Sequence, residues 1–469
     1  MNKEIKKLIG QLKSVFSPEY LEEVARETNF KQRKGKLEPE QFLAMCVIYG
    51  EDLCEASLAR LSSRLWLKEN IDLSPQALDK RFNSNSISFL KKIFNDLLGM
   101  QTQLCKEHCS QLESLFKAIH IVDSSLILLP EHLAPYYKGT GGSSSAASVK
   151  LHLEYEFFSG SFLGCNLTQG CVSDMEYYSN ASNPISGGLY LKDLGYFSAK
   201  EFAKIASNEG YYISKVKSKT TFYQKTEDPL YVKGEKIREA RYKKVDLQEF
   251  VSLLEEGQTI EIPEIYISDI KLKTRLIITR LTKRCKESRM KKYRLTLRKR
   301  NLKPRPEDEL WNCINIYITN IPEFMQDKEK IHHLYSLRWQ VELMFKIWKS
   351  IYQIDHVHRV KVERFECFLY GRLISLFLSS RIVFTGKKLL TKNGFPISEI
   401  TAFSLAKEFL DEFHFRKLYQ PKNCEKKFAY LFDRMKKYAK KKEKKGSISS
   451  YSILKGLELN TEELIQLVG

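Results

Sequence analysis

From residue 1 to about residue 115 the apolar positions return every three or four residues, beginning with the basic amphipathic stretch Met1 to Ser17. That is the period of helices with one buried face. Ser74 followed by Pro75 has the form of an N-cap with proline in the first turn, so an all-helical N-terminal region is predicted. The pattern changes at Ala118, where AIHIVDSSLILL is dense in β-branched residues and reads as a strand buried on both faces. After the loop GTGGSSSAAS at 139–148, VKLHLEYEF alternates apolar and polar positions and FLGCNLTQGCV follows, which predicts an antiparallel meander. LYLKDLGYF then predicts a strand ending near Asp193, and Ser198 with Glu201 forms a capping box opening a helix through Ile205,. YYISKVKSK is the fifth strand.

Residues 221–312 differ in character. Alternating pieces such as TIEIPEIYI and RLIITRLTK suggest β-structure broken by basic runs, among them KYRLTLRKRNLKPR,. INIYITN at 314–320 predicts one more strand, and a single helix is expected from about Lys328 to Tyr352. The remainder is helical and includes the lysine run 436–445. Strands followed by helix, strand, helix and strand give the order of a ribonuclease H-like core, an analogy at the level of fold. The expected architecture is therefore α/β: a helical region at 1–115, a core in two parts at 116–220 and 313–385, a β-rich insertion at 221–312, and a helical region at 386–469.

Charge narrows the partner. With 77 Lys and Arg against 57 Asp and Glu, the formal charge is +20, which favours a polyanion bound through phosphate contacts. Lys31, Arg33, Lys34 and Lys36 cluster before Pro39. No basic start precedes an unbroken apolar run, and the most apolar stretch, Phe368 to Phe384, is interrupted by Arg372 and Arg381. Such arginines are costly in a bilayer, so a buried helix and no membrane are expected. The 10 cysteines are scattered, and the close pair Cys105 and Cys109 lacks a second pair at zinc-finger spacing. Reduced thiols and a cytoplasmic, nucleoid-associated location follow. The 139–148 loop lacks the Gly-Lys-Ser/Thr ending of a P-loop.

The densest chemistry is YSLRWQVELMFKIWK, where Tyr335, Arg338, Glu342 and Lys349 stand at relative positions 0, 3, 7 and 14. At about 100° per residue these project near 0°, −60°, −20° and −40°, one narrow stripe on an unbroken helix. A carboxylate there suits a divalent cation, while the guanidinium, ammonium and phenol suit phosphate oxygens. Asp123 and Asp193 each end an apolar strand, where an unpaired charge is expensive unless something compensates it. Three such carboxylates could hold two magnesium ions roughly 4 Å apart and drive phosphodiester cleavage. Each element taken alone has a plainer reading: an Arg338–Glu342 ion pair on a solvated face, or aspartates in turns. His152 is read as a hydrogen-bonded core residue.

Taken together, Asp123, Asp193 within DLGYF, and the Tyr335, Arg338, Glu342, Lys349 spacing resemble the DDE insertion-sequence transposases that bear a Y-R-E-K signature, the Tn-five-like, insertion-sequence-four-type group. KLH at 150–152 and TN at 319–320 are similar too, and the resemblance spans about residues 20–385. It implies cut-and-paste transposition through hairpin ends, two Mg²⁺ ions with Mn²⁺ as a substitute, and a homodimer on double-stranded transposon ends and target DNA. It gives metal binding to Asp123, Asp193 and Glu342, and phosphate contacts to Tyr335, Arg338 and Lys349, joined by Lys346. Lys215 stands where the family usually has an arginine, keeping charge but losing the bidentate fork. Trp311 is the nearest candidate to stack near a flipped base. Two other readings stay open: a structure-selective nuclease of the same fold class, and a non-catalytic DNA-binding protein derived from a transposase.

Overall fold

The computed structural model describes residues 2–441 except 34, 102–110, 142–145, 179–183, 227–229, 239–240, 306–307 and 413–420. Lys34, Cys105, Cys109 and residues 442–445 of the lysine run thus lie outside the described residues.

The described chain opens with helices α1 (Asn2–Phe16), α2 (Pro18–Glu27), α3 (Pro39–Val47), α4 (Leu58–Glu69), α5 (Pro75–Asp79), α6 (Ser84–Gln101) and α7 (Gln111–Leu115). Local chemistry starts several of them: the hydroxyls of Ser17, Ser57 and Ser74 accept from the N–H groups of Tyr20, Arg60 and Ala77, satisfying donors the helix itself cannot. Then follow β1 (Ala118–Leu129), β2 (Ala147–Glu156), β3 (Ser161–Gln169), α8 (Asp174–Tyr178), β4 (Gly188–Lys192), α9 (Ala199–Ser207) and β5 (Tyr211–Lys215). The next stretch holds β6 (Phe222–Thr226), β7 (Leu230–Val232), β8 (Glu235–Arg238), β9 (Arg241–Val245), α10 (Leu247–Ser252), β10 (Thr259–Ile267), β11 (Leu272–Arg280), α11 (Lys283–Arg300) and α12 (Asp308–Cys313). The described chain continues through β12 (Ile314–Thr319), α13 (Lys328–Ser336), α14 (Trp339–Ser350), α15 (Val362–Lys392), α16 (Glu399–Asp411) and α17 (Pro421–Tyr438).

The chain divides into two compact units. The first comprises the described residues of Met1–Glu107, Asp123–Val172 and Val341–Lys442. Its sheet portion runs β3-β2-β1, with β2 and β3 antiparallel and Leu153 opposite Cys165. Helix α15 is its centre, packed on α3, α6 and α16. It is long and apolar enough to cross a membrane by length and composition, yet its apolar window is buried within this unit, as the two arginines suggested. Phe377 of α15 meets Phe94 of α6 edge-on at 5.0 Å. Arg372 donates to the carbonyls of Cys46 and Val47, placing a cation at the C-terminal end of α3, where orphan carbonyls and the helix dipole favour it. Of the basic cluster before Pro39, Lys31 is paired with Glu22 and Glu38.

The second unit comprises the described residues of His108–Val122 and Ser173–Gln340. Its strands run in the order β1-β4-β5-β12-β11-β10-β6-β9. β1, β4 and β5 are parallel, which requires a crossover, and α9, capped by Ser198, supplies the one between β4 and β5,. From β5 to β9 every neighbouring pair is antiparallel. β4 and β12 are buried at each position, and this is why their sequences are nearly unbroken apolar runs. β10 carries a register shift between Ile262 and Ile265, where Pro263 has no N–H to give the ladder.

Two expectations change. The segment expected as an inserted module is hydrogen-bonded into the sheet through β6, β9, β10 and β11, and shares one apolar core with β5 and β12. Its basic run is not a break in β-structure but the 18-residue helix α11, composed largely of Lys, Arg, Leu and Met, which favour helix without needing burial. The helix expected over Lys328–Tyr352 is likewise two helices. α13 ends at Ser336 and α14 begins at Trp339, with the amides of Leu337, Arg338 and Gln340 each bonded three residues back, a tightened turn.

Candidate active site

In the second unit, β4 ends at Lys192 and Asp193 follows in extended conformation, the first residue of the chain's exit from the sheet into the turn Leu194–Tyr196. Tyr196 is buried against Val122 and fixes that exit. Asp193 stays half-buried. The Tyr335 hydroxyl donates to Asp193 Oδ1 at 3.4 Å, and Arg338 Nε stands 4.0 Å from the same oxygen. Lys215, at the end of β5, places Nζ 5.7 Å from the centre of the Tyr335 ring, and the Arg338 guanidinium lies 6.0 Å from that ring. Asp193, Lys215, Tyr335 and Arg338 are thus brought together: one carboxylate among two cations and a phenol.

Tyr335 is only 5 % exposed. Burial, and next the negative charge of Asp193, push its hydroxyl well above the usual range for a phenol, so it remains a donor at any ordinary pH. Its ring packs 5.0 Å from that of Tyr317 on β12, and the Tyr317 hydroxyl meets His332 Nδ1 at 2.8 Å. Burial also raises the Tyr317 phenol. Tyr317 and His332 were not singled out from sequence, because a tyrosine in an apolar strand and a histidine on a mixed helix carry no signal until the fold stacks them behind Tyr335.

In the first unit, Asp123, expected to end its strand, instead lies within β1, which continues to Leu129; it is half-buried, and its Oδ1 accepts from the Ser124 amide at 2.8 Å. The paired residues Val122 and Lys192 are each followed in the chain by an aspartate, Asp123 and Asp193. Helix α14 buries Val341, Met344, Phe345, Ile347 and Trp348, with Trp348 edge-on to Phe162 of β3 at 5.5 Å. That leaves Glu342 half-buried, Lys346 exposed and Lys349 half-buried. Lys349 donates to the Leu126 carbonyl at 3.0 Å, so the ammonium expected on phosphate ties α14 to β1 just beyond Asp123. His152 is buried and bonded to the Thr168 hydroxyl at 2.9 Å, the core role expected of it.

Other expectations are corrected. Tyr335 lies on α13, Arg338 in the turn, and Glu342 and Lys349 on α14, so the four do not share the stripe of one continuous helix. Trp311 is partly buried and packs against the apolar core of its unit. Among the described residues no three His, Cys, Asp or Glu side chains are gathered as a metal-binding group.

A family model described as "Transposase DDE domain" matches residues 114–378. Over 475 aligned residues the chain is 36% identical to the transposase for insertion sequence element IS1151 of Clostridium perfringens, covering 99% of each. The chain belongs to the DDE transposase family. It is also 36% identical to the transposase for element IS231B of Bacillus thuringiensis subsp. berliner, over 91% of this chain and 90% of that one. Among solved structures, this transposase is similar to the piggyBac transposase synaptic complex with hairpin DNA at a TM-score of 0.45 and 12% identity, covering 95% of this chain and 87% of that one. The matched segment 114–378 contains each of Asp123, Asp193, Lys215, Trp311, Tyr335, Arg338, Glu342, Lys346 and Lys349.

Proposed function

We propose that this transposase cuts the ends of an insertion sequence and joins them to target DNA, with Asp123, Asp193 and Glu342 as its catalytic carboxylates. The observation that carries the reading is the register of the two parallel strands: Val122 pairs with Lys192, and an aspartate follows each. The parallel pairing of β1 with β4 runs from Ala118–Gly188 to Val122–Lys192 and stops there, although β1 itself continues to Leu129, and α/β folds keep their sites where parallel pairing ends. On this reading the chain is a Tn-five-like member carrying the Y-R-E-K signature, cuts through hairpin ends, and acts on double-stranded DNA as a homodimer in the cytoplasm.

Carboxylate oxygens are the ligands Mg²⁺ or Mn²⁺ takes, but the described residues do not gather three of them, and Asp193 is engaged by Tyr335 and Arg338. Arg338 and Lys215 supply positive charge for phosphate oxygens, Lys346 is exposed for the same purpose, and Tyr335 offers a hydroxyl that stays protonated. Lys349 holds α14 in place and contributes charge.

The test is cleavage of a duplex bearing the element's terminal repeats. Asp123→Asn, Asp193→Asn and Glu342→Gln should each keep end binding and lose nicking by orders of magnitude. A variant that nicks at the wild-type rate removes its residue from the site. Supplying cut ends with a target plasmid separates a transposase, which joins them, from a nuclease, which does not.

A further inference from the structure

Helix α11 has ten basic residues and one acidic residue among eighteen, and none of its residues is buried. Like charges at i,i+4 destabilise a helix by about 0.2–0.5 kcal/mol per pair, and no buried stripe offsets that here. One side of α11 is tethered to its own unit: Lys286 pairs with Glu309 at 2.9 Å, Arg289 donates to the Ile314 carbonyl and to Asn315 Oδ1, both at 2.8 Å, and Tyr293 donates to Asp308. Residues 286, 289 and 293 recur at helical spacing, so they define one face. The opposite face carries Arg284, Lys291 and Arg298, seven residues apart and all exposed. They form a row about 21 Å long. Lys292 and Lys299, also exposed, flank it.

We propose that this outward row of α11 binds the sugar-phosphate backbone of duplex DNA, independently of base sequence. The inference deepens the transposase reading and rests on DNA being the substrate. Charge complementarity selects the partner: duplex DNA presents one negative charge per about 1.7 Å of axis, so a row of cations of this length lies along many phosphates. Arginine forks at the two ends can grip phosphate oxygens bidentately, and the lysine between them acts as a point charge. The tethers through Lys286, Arg289 and Tyr293 turn the row outward and hold it rigid, which lowers the ordering cost of binding.

The experiment uses the full chain and a linear duplex of arbitrary sequence, with affinity followed from about 50 to 200 mM salt. Arg284→Ala, Lys291→Ala and Arg298→Ala combined should make the log–log salt slope shallower by about 2.7, that is about 0.9 for each of three lost phosphate contacts. The charge-retaining combination Arg284→Lys, Lys291→Arg and Arg298→Lys should keep the wild-type slope. On the wild-type protein, which needs no variant to fold, the duplex should slow tryptic cleavage within α11. An unchanged slope in the alanine variant, or unprotected cleavage of α11 in DNA-saturated protein, overturns the proposal while leaving the transposase reading intact. A wild-type chain that binds no duplex overturns both.

Discussion

Tyr335 is held by burial and by the charge of Asp193 as a neutral phenol, and the sign of its effect on stability follows. Its folded pKa is raised above the unfolded value of about 10. The stability it contributes is therefore fully present below about pH 10 and is lost as pH rises toward the folded value. Tyr335→Phe should flatten the fall of unfolding free energy with pH between about 10 and 11 by up to about 1.4 kcal/mol per pH unit, measured by urea titration at each pH. Parallel wild-type and variant curves would show that another buried tyrosine, such as Tyr317, whose phenol is also raised by burial, carries the slope. At this scale the sequence was informative about which residue types matter: aspartates set in apolar strand sequences and a basic, aromatic segment around Glu342 have few other uses in combination, though Asp193 follows the end of β4 while Asp123 lies inside β1. It was silent on Tyr317 and His332, since their significance arises from ring contacts between β12 and α13 that form only once the strand and the helix pack together.

At the scale of elements, local rules succeeded where they act locally. The Ser74 cap forms as the sequence predicts, and at Ser198 the hydroxyl's half of the predicted capping box is present, because the acceptor and its amide are three residues apart whatever the rest of the chain does. The break between α13 and α14 was not legible: the 3.6-residue pattern continues through Leu337, but α13 buries Ile331, Leu334 and Tyr335 while α14 buries Val341, Met344 and Ile347 in the other unit. The approach to α13 is pinned by Arg275 of β11, which pairs with Glu261 of β10 at 2.6 Å with both side chains 8% exposed, and also donates to the carbonyls of Ile321 and Gln326. Removing one partner of a buried pair leaves an uncompensated charge. Glu261→Ala should therefore cost about 3–5 kcal/mol, read as a lowered urea midpoint, and a loss under about 1 kcal/mol would show the pair to be solvated.

For the whole molecule, the surplus of +20 governs association rather than fold. If six to ten phosphates are contacted, wild-type affinity for duplex DNA should fall about 10³- to 10⁵-fold between about 50 and 200 mM salt. A change of less than about tenfold by fluorescence anisotropy would mean that the surplus charge faces water and not phosphate. The amino-acid sequence by itself determined the polyanionic partner, the switch from helices to sheet at Ala118, the burial of α15 and the candidate carboxylates, because charge, periodicity and capping are properties of short stretches. Only the tertiary structure decided that β6 and β9 to β11 extend one sheet, that Lys349 ties α14 to β1, that Trp311 packs against the core of its unit, and which face of α11 looks out. Those outcomes depend on contacts between segments far apart in the chain, whose free energies no local pattern contains.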